Sequence, residues 1–120
     1  MKRAGQIALV PFPFTDMNGS KLRPVLLIRQ ASSQFDDWLV CMVSSQVRQA
    51  EPDLDEILTP EDPDFNDTGL KVTSVMRLGR LAVIDGALLS GGIGEIGTER
   101  LVRLRHRLAA WLTDAPKSPD

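Results

Sequence analysis

Between residues 6 and 85, apolar runs of strand length recur at short spacing, punctuated by proline or glycine, and most have no helical segment between them. A parallel sheet needs a long crossover, usually a helix, between successive strands. The pattern therefore points to a mainly β chain wound into a small twisted barrel. The expected strands are "QIALVPF" (Gln6 to Phe12), Pro24 to Arg29, and "WLVCMVSS" (residues 38–45), with one short strand in residues 51–67. "VTSVMRL" and "LAVID" follow as two further strands, with Gly79-Arg80 between them as a tight turn or a bulge. The connection "PFPFTDMNGSK" carries Asn18-Gly19, an easy turn.

The hydrophobic period changes at the C-terminus. Gly97 precedes Thr98, an expected N-cap, and Glu99 suits the positive end of a helix dipole. Leu101, Leu104, Leu108, Trp111 and Leu112 then fall on one helical face, with Arg100, Arg103 and Arg107 along its border. The expectation is a helix laid across an open barrel, its arginine stems covering apolar surface. One domain accounts for all 120 residues: a barrel over about 5–97, the helix over about 98–113, and a frayed tail at 114–120.

Composition narrows the setting. Apolar content of 42% and charged content of 25% are ordinary for a soluble globular protein, and no apolar run reaches membrane-spanning length. The single cysteine, Cys41, lies in an apolar run, which fits a reducing cytosol and a buried, inert thiol. Net charge is −2, but it is unevenly spread. Residues 51–67, "EPDLDEILTPEDPDFND", hold eight acidic side chains and no basic one, so the rest of the chain carries 14 basic against 8 acidic, or +6. With three prolines, that block reads as a solvated surface excursion, leaving a positive field elsewhere for a polyanion.

Several chemistries drop out. "GGIGEIG" spells Gly92-x-Gly94-x-x-Gly97, the dinucleotide fingerprint, but only 23 residues follow, with no room for the second parallel strand such a site requires. The glycines are expected to form a hinge into the helix. The only histidine, His106, sits among arginines of the helix, far from a metal-site pattern or a serine triad. No cofactor motif stands out. What remains is Arg23, directly before Pro24 at the start of one strand, and "VSSQVR" (residues 43–48) at the end of another. Antiparallel neighbours place the start of one strand beside the end of the next, so Arg23, Ser44, Ser45 and Gln46 can share one barrel edge. Arginine there offers a permanent charge and a planar fork of donors suited to phosphate oxygens, though a surface ion pair would explain it equally well.

Three segments, "GQIALVPFPFTDMNGSKLRPVLLI", "VSSQV" and "GLKVTSVMRLGRLAVID", resemble in order and spacing the MazF/PemK family of toxin endoribonucleases, from about Gly5 to Asp85. The resemblance implies a small SH3-like β-barrel with a C-terminal helix, acting in the cytoplasm as a homodimer that cleaves single-stranded RNA without metal and is inhibited by a cognate antitoxin. It places Arg23 on the family's catalytic arginine and Ser44 on its catalytic threonine or serine. Lys21, Ser45, Gln46 and Arg77 become substrate-binding positions. The family often has an acidic residue two positions after that of Arg77, where this chain has Gly79, so the general base is unassigned. An antitoxin's acidic or apolar tail would cross the basic edge near Arg23 and Lys21, displacing the 11–21 connection. Two other readings stay open: a non-catalytic toxin of the same barrel superfamily that poisons DNA gyrase, and an inactive SH3-like RNA- or protein-binding module.

Overall fold

In a computed structural model, residues 2–11 and 21–114 are described. Six strands form one antiparallel sheet: β1 (Gln6–Pro11), β2 (Leu22–Gln30), β3 (Asp37–Ser44), β4 (Glu56–Leu58), β5 (Ser74–Asp85) and β6 (Gly92–Glu95), in the order β4-β5-β3-β2-β1-β6. The sheet curls into a half-barrel, and one helix, α1 (Thr98–Thr113), follows it. The Asn18-Gly19 turn, and all of the tail except Asp114, lie outside the described residues.

β2 is the central apolar strand. Val25, Leu26, Leu27 and Ile28 are all buried, because alternate side chains feed two different cores. Leu26 and Ile28 join Ile7, Cys41, Val43, Met76 and Leu78 beneath α1 and the acidic block. Val25 and Leu27 join Ala8, Val10, Trp38 and Val40 on the opposite face. A strand with an apolar core on each side cannot alternate polar with apolar, and this run does not.

Of the two alternatives expected at Gly79-Arg80, a turn or a bulge, the structure has the bulge, which joins the two expected strands into one. Strand β5 runs unbroken from Ser74 to Asp85. Cys41 of β3 pairs with Leu81 and its neighbour Met42 with Arg77, so Leu78, Gly79 and Arg80 lie outside the ladder. The glycine-rich segment differs from expectation: Gly92–Glu95 is strand β6, paired with β1, not a hinge. A Cβ on Gly94 would lie 2.3 Å from the Asp67 carbonyl oxygen, so only glycine lets β6 approach the short 3-10 turn at Phe65–Thr68.

The acidic block is only partly solvated. Glu51, Asp53, Glu61 and Asp67 are exposed, but Leu54, Asp55, Glu56, Leu58 and Phe65 are buried, and β4 hydrogen-bonds to β5. Its carboxylates meet the helix arginines. Arg100 is buried and binds Glu56 at 2.6 Å, Asp64 at 2.8 Å and Asp62 at 3.3 Å. Arg103 binds Glu56 at 2.7 Å, and Arg107 donates to the Asp55 carbonyl at 3.0 Å. Burial raises the Asp64 carboxyl, but the Arg100 hydrogen bond, the Gly97 N–H and the Arg100 charge together bring it below its ordinary value. Burial likewise opposes the charge on Arg100, and Asp64, Glu56 and Asp62 outweigh it and raise its pKa. Asp64 also takes over the cap expected of Thr98: Thr98 is already helical, and the N-cap Gly97 donates its N–H to Asp64 Oδ2 at 2.9 Å.

Only the first half of the helix face is buried as expected. Leu104 and Leu108 are buried, whereas Trp111 and Leu112 are exposed. Leu112 lines an open groove of about 680 Å3 with Leu108, Ile28 and Leu39, which no described residue fills. No helix among the described residues is long and apolar enough to cross a membrane.

Candidate active site

Strand β2 lies between β1 and β3, and the two ladders begin at different points along it. On the β1 side pairing covers Leu22, Arg23 and Pro24, opposite Pro11, Val10 and Leu9. On the β3 side it starts only at Val25, opposite Met42. Pro24 has no N–H to offer β3 and biases Arg23 toward extended backbone. Continuing the β2–β3 register by two residues (25 − 2 and 42 + 2) brings Arg23 across from Ser44, at the point where the strands part.

The parting opens a cavity of about 220 Å3, lined on one side by Arg23, Pro24, Met42, Ser44, Ser45 and Gln46. Four of the residues singled out from sequence thus meet in one place. Lys21 is exposed just ahead of β2 and outside this lining. Arg77 is also outside it, its guanidinium engaged with Gln49 and Asp55.

Arg23 is half-buried, and its Nε is buried without a hydrogen-bond partner. Such an orphan donor calls for an explanation, and a guanidinium facing an open cavity suits an anion. Ser44 Oγ accepts the Gln46 N–H at 3.0 Å, which fixes the oxygen and leaves its own hydrogen to donate. Ser45 and Gln46 are exposed at the rim, and a short 3-10 turn at Val47–Gln49 follows.

Reading the sequence missed the second wall: Leu70, Lys71, Val72 and Ser74. The apolar pattern extended the strand back to Val72, but pairing begins at Ser74, which frees residues 70–73 to wrap the cavity. Lys71 adds a second cation, and among the described residues no carboxylate or histidine lines the space. Cys41 takes no part: it is fully buried, and burial together with the nearby Asp55 charge pushes its thiol up to about 12. Among the described residues, no group of three or more His, Cys, Asp and Glu side chains is placed to hold a metal ion. The polar part of the described lining is therefore cationic, amide and hydroxyl donors, suited to phosphate oxygens, set among apolar side chains of Pro24, Met42, Val43, Leu70 and Val72.

Solved structures share this architecture. One is an endoribonuclease in complex with its cognate antitoxin from Mycobacterial species, 14% identical, with a TM-score of 0.67 over 97% of this chain and 100% of that one. A chain of the MazE-MazF structure from Deinococcus radiodurans is 19% identical, with a TM-score of 0.67 over 95% of this chain and 97% of that one. A Mycobacterium tuberculosis MazF toxin is 17% identical, with a TM-score of 0.64 over 92% and 99%. No curated protein sequence matches the chain. The family model of PemK-like, MazF-like toxins of type II toxin-antitoxin systems matches residues 3–112, and the chain belongs to that family.

Proposed function

We propose that the chain is a metal-independent endoribonuclease toxin that cleaves single-stranded RNA, with the scissile phosphate seated in the cavity between Arg23 and Ser44. The observation that carries the reading is Arg23, whose Nε is buried with no hydrogen-bond partner among the described residues, in the wall of a cavity it shares with Ser44, Ser45, Gln46, Lys71 and Ser74 and with no described carboxylate. RNA supplies its own nucleophile, the 2′-OH, so the protein needs neither a nucleophilic side chain nor an activated water. Its task is to align that hydroxyl with the phosphorus and to stabilise the charge growing on the phosphoryl oxygens. Arg23 supplies the charge and Ser44 a directed hydrogen bond. Ser45 and Gln46 hold the flanking nucleotides, and Lys71 and Lys21 draw in the strand. Free arginine, with a pKa above about 12, is a weak acid, so charge stabilisation is its main role. Among the described residues the lining holds no carboxylate or histidine, and proton removal from the 2′-OH is assigned to no residue.

Two of the similar structures are named as complexes with an antitoxin. By extension, this toxin works in the cytoplasm as a homodimer whose cognate antitoxin crosses the Arg23 edge. The test is a long RNA incubated in EDTA with the wild-type protein and with Arg23→Ala. We expect cleavage by the first and a loss of about 10²–10³ in rate with the second, the worth of one positioned oxyanion donor. Intact RNA with both would defeat catalysis, and equal cleavage by both would defeat the role of Arg23. Inhibition of gyrase supercoiling without RNA cleavage would move the chain to the gyrase-poison reading.

A further inference from the structure

We infer that Arg77 and Asp55 are positioning residues that hold the Ser44–Gln46 segment in place, and that Arg77 does not itself contact RNA; the catalytic part of this inference rests on the proposed ribonuclease function. The argument starts at the bulge in β5. Leu78 has no ladder partner on β3, and its N–H donates instead to Asp55 Oδ1 at 2.8 Å. The second oxygen, Oδ2, accepts the Glu51 N–H at 2.8 Å. Arg107 of α1 donates to the Asp55 backbone carbonyl at 3.0 Å, so this residue is held from three directions.

Its charge then faces Arg77. Glu56 pairs with Met76, and one step along that register (56 − 1 and 76 + 1) sets Asp55 opposite Arg77. Arg77 Nε lies 3.5 Å from Asp55 Oδ2, with the two side chains 19% and 2% exposed. The contact is an ion pair without a hydrogen bond, since that Nε has no hydrogen-bond partner. What it does is aim the far end of the guanidinium. Arg77 Nη1 donates to Gln49 Oε1 at 3.0 Å. Gln49 N–H in turn donates to the Gln46 carbonyl at 3.0 Å, and Gln46 N–H donates to Ser44 Oγ at 3.0 Å.

A continuous chain of contacts thus leads from the helix through Asp55, Arg77 and Gln49 to the serine hydroxyl at the cavity. The positively charged link in it is tied at Nη1 to Gln49 and at Nε to the Asp55 charge, and Arg77 is absent from the described cavity wall. Ser44 is anchored by its ladder partner Val75, but without the clamp residues 45–49 would rest on their own short turn and its amide bonds. The Gln46 N–H that fixes the Ser44 hydroxyl would then be loosened, with no change in the charges that line the cavity.

The experiment compares Arg77→Met, which keeps the stem and removes the guanidinium, with Gln49→Ala at an exposed position that folding does not depend on. Amide hydrogen exchange at Gln46 and Gln49 is expected to speed up about tenfold in each, as befits one charge-assisted hydrogen bond, and the double variant should go no further. Turnover should fall about tenfold in both with KM unchanged, the signature of lost alignment. Binding of an uncleavable 2′-deoxy oligonucleotide should keep its wild-type salt dependence in both variants, whereas loss of a phosphate contact would flatten it by about 0.7 on a single strand. Exchange unchanged in both single variants, or a flattened salt dependence in Arg77→Met, overturns the inference. If the wild-type protein leaves RNA intact, the proposed function falls and the exchange data still decide the clamp.

Discussion

Replacing Arg100 by methionine tests whether the acidic block is held by its charges. The side chain is 8% exposed and meets Glu56, Asp64 and Asp62, with the first two only 11% and 13% exposed. Methionine fills a similar volume, so the loss is electrostatic rather than a cavity. Removing one partner of an isolated buried pair costs about 3–5 kcal/mol. Here Glu56 keeps Arg103 and Asp64 keeps the Gly97 N–H, which argues for the low end, about 3 kcal/mol. For a chain of this size that corresponds to a fall of roughly 12 °C in Tm, at about 4 °C per kcal/mol. The pH dependence gives an independent check. Asp64 has its folded pKa depressed, so its contribution is complete above the ordinary carboxylate value near 4 and is lost as pH falls through the folded value. The gap between wild type and Arg100→Met should therefore narrow between pH 5 and pH 2.5 in denaturant titrations. A loss at pH 7 below about 1 kcal/mol, the scale of exposed pairs, would refute the reasoning, as would a gap that does not change with acid.

Two further perturbations probe closure and core. Gly94→Ala should destabilise by about 3 kcal/mol, the upper range for overpacking, because its Cβ would meet backbone atoms of Asp67 and Thr68 within 2.5 Å; a Tm within 2 °C of wild type would show that β6 can move away from that turn. Cys41, with its thiol at about 12 and no exposure, should stay unreactive toward a disulfide reagent at pH 8 until the protein is unfolded in guanidinium. Native reactivity would mean that β3 opens locally.

How far the fold can be read from the sequence depends on whether the deciding contact is local. The run Val25–Ile28 and the leucine period of α1 need no partner to be recognised, and both elements are where those patterns put them. β6 could not be read this way, because Gly92–Glu95 has almost no side-chain pattern and becomes a strand by adding to the edge of β1. At Gly79-Arg80 a turn and a bulge have the same local chemistry, and the eight-residue reach of β3 selects the bulge. Helical period placed Trp111 and Leu112 on the apolar face correctly as directions, but period says nothing of where the surface beneath a helix ends. The cavity was half legible: Arg23 and Ser44 follow from antiparallel adjacency, while Lys71 and Ser74 depend on where β5 begins pairing.

Charge gives the clearest case of a correct count with the wrong geometry. Setting aside residues 51–67 leaves +6 on paper. In the fold, Asp55, Glu56, Asp62 and Asp64 of that block neutralise Arg77, Arg100, Arg103 and Arg107, so the remainder keeps 10 basic against 8 acidic side chains, or +2. The arginines that looked available to a polyanion are the ones spent on closing the helix over the barrel. A broad positive field is thus a poor explanation for any RNA affinity this chain has. A local one is better: Arg23 and Lys71 line one small cavity with no carboxylate among its described lining residues, and the half-buried Arg23 is less screened than a charge on open surface. The acidic block serves that site indirectly. By pairing with Arg100, Arg103 and Arg107 it leaves Arg23 and Lys71, at the proposed site, outside its ion pairs.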